Sequence, residues 1–86
     1  MKYMFYYPED TKEAKEIMKI LKESRVLKHA VSEDGDGEVW LVEYNGNRYM
    51  VIRAENVGFD EWCIVPPDTA EYLFNEYIDE LGYEVV

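Results

Sequence analysis

Hydrophobic and polar residues near the start of the chain recur with a helical period. Lys and Glu fill the positions between the apolar ones. Because residues three and four apart lie on the same face of a helix, the pattern predicts an amphipathic helix over residues 11–24. Asp10, followed by Glu13 three residues later, predicts a capping box at its start. The apolar positions of this helix are Ala14, Ile17, Met18 and Leu21.

A second helical pattern follows Pro66 and Pro67 near the C-terminus. Asp68 or Thr69 is the expected N-cap, and Gly82 is a natural stop because glycine adopts the left-handed conformation that ends many helices. The apolar positions of this helix are Ala70, Leu73, Phe74, Tyr77, Ile78 and Leu81.

Between the helices the period falls to two, which is typical of β-strands. Asn45-Gly46 predicts a tight hairpin between strands over residues 38–44 and 47–54, with paired residue numbers that sum to 91. Apolar side chains then fall on both faces of the hairpin. One face carries Val39, Leu41, Met50 and Ile52, and the other carries Trp40, Val42, Tyr44, Tyr49 and Val51.

Other segments with β-favouring residues extend this sheet. Strands are predicted over residues 2–7 and 59–65, and a short closing strand over residues 83–86. Residues 26–32 fit either a strand or an extension of the first helix, and we favour the strand.

The order of these elements predicts an α+β fold in a single domain spanning residues 1–86. We expect an antiparallel sheet of three to five strands with two helices, in the approximate order β-α-(β)-β-β-β-α, and with both helices on one face. One hairpin face would then be bare or covered by a second copy. The α-β-β-β-α run resembles double-stranded-RNA-binding domains in topology, although its last helix lacks their phosphate-binding lysines. A ferredoxin-like βαββαβ arrangement is the alternative.

Composition and charge narrow the classes of function. The 86 residues include 9 Lys and Arg against 19 Asp and Glu, which gives a net charge of −10 and argues against an ordinary basic nucleic-acid-binding protein. A hydrophobic content of 48% is too high for a disordered acidic tail. The single cysteine and the lack of a signal-like or membrane-spanning segment favour the cytoplasm.

Most of the net charge belongs to the C-terminal third, since residues 55–86 contain nine acids and no Lys or Arg. A solvated surface that maintains solubility is one explanation. The other is a surface that binds a basic protein in place of nucleic acid, with aromatic residues as anchors. The candidate partner-binding residues are Asp60, Glu61, Trp62, Asp68, Glu71, Tyr72, Asn75, Glu76, Asp79 and Glu80.

In size, acidity and tyrosine content the chain resembles phage-encoded inhibitors of host defence, including anti-CRISPR proteins and DNA mimics. The resemblance covers the whole chain and includes the acidic stripe of Glu71, Glu76, Asp79 and Glu80. It implies a non-enzymatic inhibitor that acts in the host cytoplasm on a nucleic-acid-binding effector. An immunity protein or antitoxin against a nuclease, or a structural domain that forms a homodimer through its sheet face, are the alternatives.

Candidate catalytic and metal-binding residues are few. His29 and Cys63 could form a nucleophile–base pair, but no third group is evident to orient the base. The acidic turn Asp34–Glu38 lacks the glycine and glutamate spacing of a calcium loop. We therefore expect no catalytic residue, no bound metal and no cofactor.

Overall fold

The computed structural model describes residues 5–86, which form two helices and a six-stranded antiparallel sheet. The helices are α1 (Lys12–Glu23) and α2 (Ala70–Asp79). The strands are β1 (Tyr7–Pro8), β2 (Arg25–Val31), β3 (Gly37–Tyr44), β4 (Asn47–Asn56), β5 (Phe59–Val65) and β6 (Glu84–Val85). The α+β class is confirmed, and the strand count exceeds the expected three to five.

Strands β2 to β5 form a meander whose edges are covered by the two shortest strands. The order across the sheet is β1-β5-β4-β3-β2-β6. Residues 2–4 of the expected first strand lie outside the described residues, and β1 begins at Tyr7. Four strands separate α1 from α2. The fold therefore matches neither the α-β-β-β-α order that resembles double-stranded-RNA-binding domains nor the ferredoxin-like βαββαβ order.

The β3–β4 hairpin has the register that its turn predicts. Val39 lies opposite Ile52 and Leu41 opposite Met50, as the sum of 91 requires. Asn45 has a φ of 50° and Gly46 a φ of 80°. Positive φ at both central residues is what a type I′ turn needs, and the Asn-Gly pair adopts it easily.

The two helices lie on opposite faces of the sheet, so the expectation that they share one face is wrong. α1 connects β1, at one side of the sheet, to β2 near the other, and α2 connects β5 to β6 in the same manner. Each helix crosses the strands, and the two pack on different faces: α2 packs against Leu41 and Met50, and α1 packs against Val42 and Val51. The reason to expect a homodimer through a bare sheet face disappears, because Val42 and Val51 are fully buried beneath α1.

Each face has its own apolar cluster. The larger one lies between the sheet and α2, and the smaller one lies between the sheet and α1. The α2-side cluster contains Ala30, Val39, Leu41, Met50, Ile52, Cys63, Val65, Ala70 and Phe74. The α1-side cluster contains Ala14, Ile17, Val42, Val51 and Trp62.

The cap of α1 lies one residue later than the sequence indicated. Thr11, and not Asp10, is the N-cap, and its Oγ1 accepts a hydrogen bond of 3.2 Å from the backbone N–H of Ala14. The same hydroxyl donates to the carbonyl of Pro8 at 2.7 Å, which ties the start of the helix to β1. Thr69 is the N-cap of α2, one of the two residues expected there.

Candidate protein-interaction surface

Six of the ten candidate residues lie together on the outer face of α2. Phe74 and Ala70 point into the α2-side cluster, and the residues on the opposite side of the helix are exposed or half-buried. This is the arrangement that the helical period of the sequence predicts. The outer face consists of Glu71, Tyr72, Asn75, Glu76, Asp79 and Glu80.

The charges on this α2 face are placed unevenly relative to the helix dipole. Glu71 in the first turn interacts favourably with the positive end of the helix dipole. The last turn contains no basic residue and ends at Glu80, so nothing there compensates the negative end of the dipole. Arg48 of β4 donates to Glu71 at 3.3 Å, and each side chain is 53% exposed, so solvent screens this ion pair. The α2 face therefore presents a largely uncompensated negative charge.

Tyr72 is the exposed aromatic residue on the α2 face. A hydrogen bond to the carboxylate of Glu76, together with the negative charges of Glu76 and Glu80, raises the pKa of its hydroxyl. The phenol therefore stays neutral and can donate a hydrogen bond. Asp68, the seventh candidate near this helix, is exposed and lies just before the N-cap Thr69.

The three candidates on β5 do not join the α2 face. Asp60 and Trp62 project to the α1 side of the sheet, and Glu61 projects to the other side, where it accepts a hydrogen bond of 2.9 Å from Asn56. Trp62 is only 8% exposed and packs in the α1-side cluster. Trp62 is therefore a core residue and lacks the accessible surface expected of an anchor.

Asp60 belongs instead to a half-buried polar network on the α1 side of the sheet. The guanidinium of Arg53 donates to Glu38 at 2.9 Å and to Asp60 at 3.0 Å, and Glu38 also contacts the ring of His29 at 2.8 Å. Burial would lower the pKa of Arg53, but the hydrogen bonds and charges of Glu38 and Asp60 outweigh it and raise that pKa. The hairpin register pairs Glu38 with Arg53, but nothing in the sequence indicates that His29 and Asp60 join them.

His29 and Cys63, the alternative chemical pair, lie on opposite faces of the sheet. The ring of His29 stacks on Trp40 with 5.0 Å between centroids, on the α1 side. Cys63 is buried in the α2-side cluster, where loss of solvent raises the pKa of its thiol to about 11. The two side chains are therefore separated by the sheet. Within residues 5–86, no three His, Cys, Asp or Glu side chains are grouped to hold a metal ion.

Comparisons with protein-family models, curated proteins and solved structures find no match for this chain. Neither helix in the described part of the chain is long and apolar enough to span a bilayer.

Proposed function

We propose that this protein is a non-enzymatic binding protein that blocks a basic, nucleic-acid-binding site on a cytoplasmic effector protein. The α2 face is the surface that carries the proposal, because it combines exposed carboxylates, an exposed tyrosine and an absence of Lys and Arg on the helix itself. An acidic surface of this kind is complementary to the surfaces that bind phosphates.

The density of the acids along the helix supports mimicry of a phosphate backbone. Glu71 and Glu80 are separated by roughly 14 Å along the helix axis, at 1.5 Å per residue. The four carboxylates follow at uneven intervals of roughly 7.5, 4.5 and 1.5 Å, and their average of one charge per roughly 4–5 Å is comparable to the 3.4 Å spacing along one DNA strand. Binding of the α2 face to Lys and Arg side chains would exclude the phosphates that those side chains normally contact.

The energetics of the helix also support a role outside folding. Carboxylates three or four residues apart repel one another, and those at the C-terminus of a helix interact unfavourably with the helix dipole, each by a few tenths of a kcal/mol or more. Glu76 and Glu80 have this spacing, and Glu80 is the C-cap. Their charges therefore work against local stability, as residues retained for binding often do.

The test reverses the charge of the α2 face and compares capture of partners from a cell lysate. We expect that replacing Glu71, Glu76, Asp79 and Glu80 with Lys abolishes recovery of a nucleic-acid-binding protein that the unaltered chain recovers. Duplex DNA added to the unaltered chain should displace the same protein, because DNA phosphates and the carboxylates of α2 compete for the same Lys and Arg side chains of the partner. Moderate salt should also displace it, because salt screens these charges. Bound proteins are identified by mass spectrometry.

The matched control changes the same number of charges elsewhere. Glu13, Glu16 and Glu23 are exposed on α1, and Glu84 is exposed on β6; replacing these four with Lys gives the same net charge. This control variant should still capture the partner. Equal loss of partner capture in both variants would show that binding depends on net charge alone, and it would overturn the proposal. The identity of the captured protein separates an inhibitor of a defence complex from an immunity protein or antitoxin.

A further inference from the structure

The two tight hairpins of the sheet have the same turn geometry but different residues at the first turn position. Asn45-Gly46 links β3 to β4, and Val57-Gly58 links β4 to β5. Val57 has a φ of 48° and Gly58 a φ of 86°, close to the values of the first turn. Asparagine tolerates this left-handed conformation, whereas a β-branched side chain in it is an outlier. The second turn therefore contains a residue that its backbone disfavours.

Packing of the Val57 side chain does not compensate for this strain. Its side chain is 92% exposed, the highest value among the large exposed hydrophobic residues of residues 5–86. An apolar residue that is both strained and solvent-exposed contributes nothing evident to folding, and such outliers point to a role in binding. Phe59, two residues later, is also exposed and lines an open groove of about 590 Å³ with Pro8, Glu9 and Asp10. We call Val57, Phe59 and this groove the hairpin tip.

The charged residues around the hairpin tip indicate which charge a partner needs for complementarity. The backbone N–H of Glu55 donates to the carbonyl of Asp36 at 2.8 Å, so the β2–β3 loop lies alongside the end of the hairpin. The backbone N–H of Asp60 donates to the carboxylate of Glu9 at 2.6 Å, which brings the β1–α1 loop to its other side. Segments 32–38 and 54–61 together contain seven carboxylates, of which Glu38 and Asp60 pair with Arg53. The other five form no ion pair within the described residues, so the charge around the hairpin tip remains negative.

We propose that the hairpin tip inserts Val57 into an apolar pocket on a basic protein surface, with Phe59 and the groove packing beside it. The surrounding carboxylates provide complementarity to the basic rim of that pocket, and Val57 is the desolvated contact at its centre. A second copy of this chain is disfavoured, because two tips rich in carboxylates would repel each other. The inference rests on the proposed function only in requiring a basic protein as the partner.

The experiment uses substitutions that move stability and affinity in opposite directions. We expect Val57→Asn to raise the Tm by roughly 4–8 °C by relieving the strained turn. The same substitution should weaken binding of the protein captured by the unaltered chain at least tenfold, as removal of a central interface contact does. Affinity is measured by titrating the purified, fluorescently labelled captured protein with each full-length variant.

Two further variants complete the test. Asn45→Val places the same strain in the other turn, at the opposite end of β4, and should lower the Tm while leaving affinity within twofold. Val57→Ile keeps an apolar, β-branched side chain and should retain binding.

Three results would overturn the inference. The first is an affinity of Val57→Asn within twofold of the unaltered chain, and the second is a Tm that this substitution does not raise. The third is a dimer of this chain, detected by sedimentation, that depends on Val57. If only the charge reversal on α2 abolishes binding, the proposed function stands and the hairpin tip is not an interface. If only Val57→Asn does so, the tip is the interface and the α2 face is not. Recovery of no basic protein by the unaltered chain contradicts both.

Discussion

The two helices cover opposite faces of one sheet, and their outer surfaces differ in how charge is arranged. The outer surface of α1 carries four Lys and three Glu, all exposed, with Glu13 in the first turn and Lys22 in the last. The α2 face carries acids without any Lys or Arg and has no basic residue in its last turn. The charges of α1 follow the rules that stabilise a helix, and those of α2 do not.

The difference indicates what stabilises each helix. α1 has favourable charges and a side-chain cap from Thr11, and it packs on the smaller cluster. α2 has no side-chain hydrogen bond at its cap Thr69 and packs on the larger cluster through Phe74. Apolar packing therefore stabilises α2 sufficiently for its outer surface to carry unfavourable charges. That freedom is what a binding surface on a small domain requires.

The largest expected effect follows from this difference in packing. Phe74→Ala should lower the free energy of unfolding by about 3–5 kcal/mol, because it leaves a cavity in the α2-side cluster. Ile17→Ala, the corresponding truncation on the α1 side, should cost about 2–5 kcal/mol, toward the lower end because the α1-side cluster is smaller. Urea denaturation monitored by circular dichroism measures both. A smaller loss for Phe74→Ala than for Ile17→Ala would contradict the unequal roles of the two clusters.

A second prediction compares two arginines of β4 that face opposite sides of the sheet. Arg53→Leu should cost about 1–3 kcal/mol, because it leaves Glu38 and Asp60 half-buried without their cation. The side chain of Arg53 is 16% exposed, whereas that of Arg48 is 53% exposed. Arg48→Leu should therefore cost less than about 1 kcal/mol. Thermal denaturation of the two variants makes the comparison, and equal losses would show that burial does not distinguish the two ion-pair sites.

The smallest effect tests the charges of the helices directly. Glu80→Lys should raise the free energy of unfolding by about 0.3–1 kcal/mol, because it places a cation at the C-terminus of α2. Lys22→Glu at the end of α1 should lower it by a similar amount. Both shifts should shrink in high salt. If Glu80→Lys destabilises the protein at low salt, Glu80 contributes to folding and the contrast between the helices is lost.

Local features of the sequence were sufficient to predict much of this fold. The Asn45-Gly46 turn determines the hairpin register, and the helical periods identify both helices to within one or two residues at their N-termini. The same period identified the α2 face, because side chains on one side of a helix follow directly from spacing.

The packing of the helices could not be predicted in the same way. Apolar residues on both faces of the β3–β4 hairpin are consistent with cover on both sides or with a bare face. The strand directions decide between them. β1 and β2 run parallel to each other, β5 and β6 run the opposite way, and right-handed crossovers between these pairs place the two helices on opposite faces. Strand alternation likewise placed Asp60 and Trp62 on one face without showing that α1 buries Trp62. The strain at Val57 depends on backbone conformation, which its residue type does not predict.

The outermost strands affect how this sheet behaves at high concentration. β6 pairs only with the end of β2, at Ala30 and Val31, and within the described residues the segment Arg25–Lys28 has a strand neighbour only at β3. That segment carries two cations and a break in register between Val26 and Lys28. Charged side chains and bulges at a sheet edge hinder the addition of strands from other molecules. The irregular edge of β2 therefore protects the protein against edge-to-edge aggregation.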